Sequence, residues 1–93
     1  MITKKRDYEG MWKILDEIIK GEVRENESMK SGYPADTRNS IVIRYAAISG
    51  NVLYTADFKI DVNLLMVLPA PTLRTVVVDV ITMLREDREE RNL

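Results

Sequence analysis

Two runs of alternating apolar residues, broken once by Gly50 and Asn51, constrain this chain more than any other feature. Ile41, Ile43, Tyr45 and Ala47 take every second position before the break, and Tyr54, Ala56, Phe58 and Ile60 do so after it. A period of two marks a strand with one buried face, and a two-residue connection containing Gly is a common hairpin turn. Folding the chain there sets Ile41 against Ile60, Ile43 against Phe58, Tyr45 against Ala56 and Ala47 against Tyr54, all on one side. On the other side Arg44 meets Asp57. A slip of one residue would oppose apolar to polar groups throughout, so the sequence itself favours this register.

The same reasoning extends to a third strand. A three-residue loop of Asp61, Val62 and Asn63 would bring Leu64 against Ile60, Met66 against Phe58 and Leu68 against Ala56. The expected sheet is then a meander with the 52–60 strand in the middle. A short helix capped by Asp61 and covering Val62 to Leu68 is the competing reading, because short apolar runs do not separate the two periods.

Helical periodicity flanks the sheet. Tyr8, Met11, Trp12, Leu15, Ile18, Ile19 and Val23 form one apolar stripe, with Glu9, Lys13, Glu17 and Lys20 on the opposite side. Gly10 and Gly21 weaken the two ends of this helix, and Trp12 in mid-stripe reads as a core anchor. Pro69 and Pro71 close the preceding element and Thr72 is placed to cap a second helix, whose stripe runs through Leu73, Val76, Val77, Val80, Ile81, Met83 and Leu84. The run TVVVDVIT is rich in β-branched residues that favour strands, but three turns of continuous stripe and the helix-forming REDREERN after it decide for helix. The stripe stops at Leu84, so 85–93 reads as a charged extension reaching past the core or toward a partner. Residues 24–40 lack periodicity, collect Ser, Asn, Gly, Pro and Asp, and read as a long flexible loop.

These elements define an α+β fold, α-β-β-β-α, with a three-stranded antiparallel meander, two helices on one sheet face, and 1–93 as a single domain. The order is similar to that of double-stranded-RNA-binding domains, a resemblance of topology alone. Those domains set several Lys at the start of the last helix to meet phosphates, and this chain has Pro71, Thr72, Leu73 and Arg74 there.

Charge argues in the same direction. There are 14 basic and 15 acidic residues, balanced in every segment, and nucleic-acid affinity needs clustered cations, so the sequence argues against nucleic acid as a partner. The only basic run, Lys4 to Arg6, is followed at once by Asp7 and reads as a solvated terminus. The chain has no Cys and no His, which excludes disulfides, thiol nucleophiles, imidazole bases and the usual zinc sites. Its first ten residues turn charged before the apolar centre of a signal peptide, and its longest uncharged apolar stretch, Val62 to Leu73, is broken by prolines. The expectation is a cytoplasmic protein without a membrane partner, in the host cytoplasm if encoded by a phage.

Asp57 and Asp61 are the only candidate carboxylate pair for an oxygen-ligated ion. Asp57 already has Arg44, so no catalytic residue, metal or cofactor is assigned. The far face of the expected sheet carries Val42, Arg44, Ala46, Ile48, Leu53, Thr55, Asp57, Lys59, Leu65 and Val67, more apolar than a fully solvated face. Val42, Ile48, Leu53, Leu65 and Val67, with Val78 on the second helix, are therefore candidate interface residues. In the loop, Lys30, Tyr33, Arg38 and Asn39 are candidates for holding a small, nucleotide-like anion. The leading expectation is a non-catalytic binding protein acting through protein–protein contacts as a homo-oligomer with a further protein partner, such as a phage accessory or inhibitor protein. Alternatives are a module sequestering an anionic ligand and a structural subunit of a larger assembly.

Overall fold

The computed structural model describes residues 5–34 and 39–91. In chain order it contains α1 (Tyr8–Glu22), β1 (Glu27–Gly32), β2 (Ser40–Ser49), β3 (Val52–Asp61), α2 (Val62–Val67) and α3 (Ala70–Arg91). This is an α+β fold, α-β-β-β-α-α, on a three-stranded antiparallel sheet of order β1-β2-β3.

The hairpin has the register written in its alternation: Ile41 pairs with Ile60, Ile43 with Phe58, Tyr45 with Ala56 and Arg44 with Asp57. Gly50 has φ +62°, and no other described residue has positive φ, the sign pattern of a II′ turn with Gly first. The inner face of the hairpin meets α1, α2 and α3 in one core. Met11 and Leu15 of α1, Ile41 and Ile43 of β2, Leu65 of α2, and Leu73, Val77 and Ile81 of α3 are all wholly buried.

Several expectations are corrected. The third strand is not 64–68. Val62, Leu65 and Met66 are buried at helical spacing, and Asp61 caps this turn by accepting from the Asn63 N–H at 2.7 Å. Leu65 is thus core, not sheet surface. At the far end of α2, the Arg6 guanidinium donates to the carbonyls of Leu65 (3.1 Å) and Leu68 (2.6 Å), so Arg6 holds the fold together and is not merely part of a solvated terminus.

The missing strand comes instead from the 24–40 segment. β1 pairs with β2 from Glu27 opposite Ala47 to Gly32 opposite Val42, which makes β2 the central strand and leaves β3 at an edge. Finally, α3 starts at Ala70 with Pro71 in its first turn, where a missing N–H costs nothing, so Thr72 lies inside the helix and is not its cap. The first part of its charged end does not project past the core, because Arg85 and Arg88 turn inward, their side chains only 8% and 11% exposed, whereas Glu89 to Arg91 are exposed.

Candidate functional site

The pairing in the sheet divides its side chains by face. Glu27, Met29 and Ser31 share the helix-covered side with Tyr45 and Ile43, while Ser28, Lys30 and Gly32 lie on the opposite side with Ala46, Arg44 and Val42. No described helix covers this second face. At the hairpin tip Ile48 stands opposite Leu53, and the two are 59% and 63% exposed. Glu25, Asn26, Ser28 and Ala46 flank them to make a shallow depression with an apolar floor. Toward the other end the face becomes charged. Arg44 forms two hydrogen bonds to Asp57, 2.9 and 3.1 Å, which hold the Asp57 carboxyl below its usual range. Lys30 and Lys59 have no ion pair among the described residues.

On the covered side, charge is buried and internally neutralised. Glu27 has a fully buried side chain and receives Arg85 through a two-pronged contact, Nε at 2.8 Å and Nη2 at 2.7 Å. The Tyr45 hydroxyl and the Arg24 backbone N–H also donate to it. Burial alone would push this carboxyl up, but the bonds from Arg85, Tyr45 and Arg24 outweigh burial and hold it at about 2. Tyr45 is pushed up to about 12, by burial first and then by its bond to Glu27. Arg85 reaches on to the Glu22 carbonyl at 2.6 Å, and Arg88 donates to the Tyr45 hydroxyl at 3.0 Å. Each acceptor therefore has its donor, and among the described residues no buried side-chain polar atom lacks a hydrogen-bond partner. The arrangement fastens α1, β1, β2 and α3 together. Sequence reasoning missed it because Glu27 sits on a strand with only one apolar inward residue, Met29, and its partner lies 58 positions away.

The loop candidates do not converge. Lys30 is exposed on the open sheet face. Tyr33 packs against the core, its ring edge-on to Trp12 at 5.4 Å between centroids. The Asn39 carbonyl accepts from the Val62 N–H at 2.9 Å, joining the start of β2 to the start of α2. Arg38 lies outside the described residues. Of the interface candidates, Val42 is half-buried on the open face, Val67 is 44% exposed on α2, and Val78 is half-buried on α3. Asp57 and Asp61 serve Arg44 and the α2 cap respectively.

Among the described residues no helix is long and apolar enough to cross a membrane. Comparison with family models, with curated proteins and with solved structures returns no match for this chain. What the chain can bind is therefore read from its own surface.

Proposed function

We propose that this chain is a non-catalytic, self-associating protein-binding module of the cytoplasm, of the accessory or inhibitor type that phages carry, and that it holds its target on the open face of the sheet. The observation that carries the reading is the opposed, exposed pair Ile48 and Leu53 at the end of a face whose other end bears Lys30 and Lys59. An apolar anchor site with a polar rim is the usual anatomy of a protein contact. The two lysines, without ion pairs among the described residues, fit a target segment that is apolar at its centre and acidic beside it.

The test is affinity capture from host lysate, with the wild type compared with Leu53→Lys and Lys30→Glu. Both substitutions lie on exposed positions and leave the core intact. The reading expects one acidic protein to be retained by the wild type, lost with Leu53→Lys and weakened with Lys30→Glu. Equal retention by all three proteins would overturn it.

A further inference from the structure

β1 and β3 are the two edge strands of the sheet, and β3 is the longer. The Val62 N–H bonds the Asn39 carbonyl, so the even-numbered residues of β3 turn their backbone groups toward β2. Leu53, Thr55, Asp57 and Lys59 therefore direct their N–H and C=O groups away from the sheet. This edge strand has ten residues and contains neither Pro nor Gly, and an edge of that length is a template for pairing with another strand. Beside it α3 presents a shoulder. Leu84 and Asp87 face β3 across a groove that Val52 to Ala56 line, and Val76, Val80 and Met83 continue along that side of the helix at spacings of four and three. Met83 is 67% exposed and Val76 36%.

We infer that a second copy of this chain occupies this edge, its β3 running antiparallel to the first about a two-fold axis at Phe58, to give a continuous six-stranded sheet. Charge chooses the occupant and the register. Centring the axis on Phe58 sets Asp57 directly opposite the partner's Lys59, and by symmetry Lys59 opposite the partner's Asp57, in pairs whose backbone groups both face the open edge. Centring it on Asp57 or on Lys59 would oppose like charges, and centring it on Thr55 or Ala56 would leave both charges without an opposite number. In the chosen register Lys59 gains the ion pair it lacks among the described residues. Phe58 meets its own copy on the inner face, Ala56 meets the partner's Ile60, and the α3 shoulders lie beside each other below the joined sheet.

This inference deepens the self-association in the proposed function and is independent of target binding by the open face. Sedimentation velocity tests it. The wild type is expected to sediment at twice the 10.7 kDa chain mass. Lys59→Glu and Asp57→Lys, each folded by circular dichroism, should each raise the dimer dissociation constant at least about tenfold. Mixing the two variants should restore a heterodimer, because each opposed pair of positions 57 and 59 then sets an acid of one chain against a lysine of the other. In a chain without cysteine, Phe58→Cys should give one disulfide-linked dimer on oxidation, since opposed residues in such a pair stand about 4.5 Å apart. A wild type that stays monomeric at hundreds of micromolar overturns the inference and the self-association together. A dimer abolished by Leu53→Lys but insensitive to both charge variants overturns the edge alone and moves the interface to the open face.

Discussion

Glu27 and Arg85 meet through two hydrogen bonds of 2.7 and 2.8 Å although 58 positions separate them, and this pair joins the first strand to the last helix. Both side chains are withdrawn from water, so removing one leaves the other's buried charge with only a longer contact, Arg85 to Glu22 at 3.7 Å or Glu27 to Arg88 at 3.6 Å. Glu27→Ala is expected to lower unfolding stability by about 3–5 kcal/mol, the range for breaking a buried pair. Glu27→Ala combined with Arg85→Met should cost less than the two single changes summed, since neither charge is then left alone. Urea denaturation of the four proteins measures this coupling. Additive losses would show that the two groups do not depend on each other.

The same carboxylate contributes to the stability of the fold toward acid, as do Asp57 and Asp87, which Arg44 and Tyr54 hold below the usual carboxylate range. The folded-state value of Glu27, about 2, lies below the ordinary 4.5, so the unfolded chain takes up the proton first as pH falls. Glu27's contribution is complete above pH 4.5 and is lost as the pH drops from there toward 2; the shift corresponds to about 3 kcal/mol. Tyr45 acts at the other limit. Its value is raised from 10 to about 12, so the folded state holds that proton more tightly and stability falls as pH rises from 10 toward 12. Thermal midpoints across pH 2 to 12 should therefore decline at both ends, with Tyr45→Phe removing its part of the alkaline decline.

How far the sequence reaches is clearest from what holds each element. The hairpin and α1 owe their positions to apolar periodicity, which a single chain displays in full, and both form where the pattern puts them. β1 is held by main-chain pairing to β2 and by Glu27 reaching Arg85, and neither leaves a period in ESMKSG. The last turns of α3 look like a free polar helix because Arg85 and Arg88 occupy core-facing positions, and inward arginines read as solvent-facing until their acid is known. α2 is the intermediate case. Its apolar run suits strand or helix, and Asp61 at its start with Arg6 at its end decides the matter. Of the candidate surface, Ile48 and Leu53 follow from the hairpin register, whereas the open edge of β3 follows only once β1 is known to pair with β2.

Arg6 provides the next prediction. Its guanidinium caps α2 through the carbonyls of Leu65 and Leu68 while the Arg6 N–H bonds the Met66 carbonyl. Charged donors at a helix C-terminus satisfy carbonyls that would otherwise lack partners. Arg6→Ala is expected to cost about 1–2 kcal/mol, with Arg6→Lys recovering much of it, since both side-chain bonds leave the single nitrogen Nη1 and one ammonium can also donate to two carbonyls. Amide hydrogen exchange should locate the added opening in 62–68 and leave the β2–β3 hairpin protected. Uniform loss of protection would mean that Arg6 acts on the whole fold and not on α2.

The hairpin turn offers a test free of packing effects. A Cβ placed on Gly50 would meet no atom within 4 Å, so a substitution there is resisted only by the backbone, at φ +62°. Left-handed backbone costs an ordinary L-residue about 1–2 kcal/mol, less for Asn and more for a β-branched side chain. The expected order of stability is therefore wild type, Gly50→Asn, Gly50→Ala, Gly50→Val, with Gly50→Ala about 1 kcal/mol below wild type. Volume would give a different order, because Asn is larger than Ala, so chemical denaturation of the three variants separates the two causes. Because the turn fixes how β2 meets β3, Gly50→Val should also raise hydrogen exchange at Ser49 and Val52 before it affects Ile41 and Ile60 at the far end of the ladder.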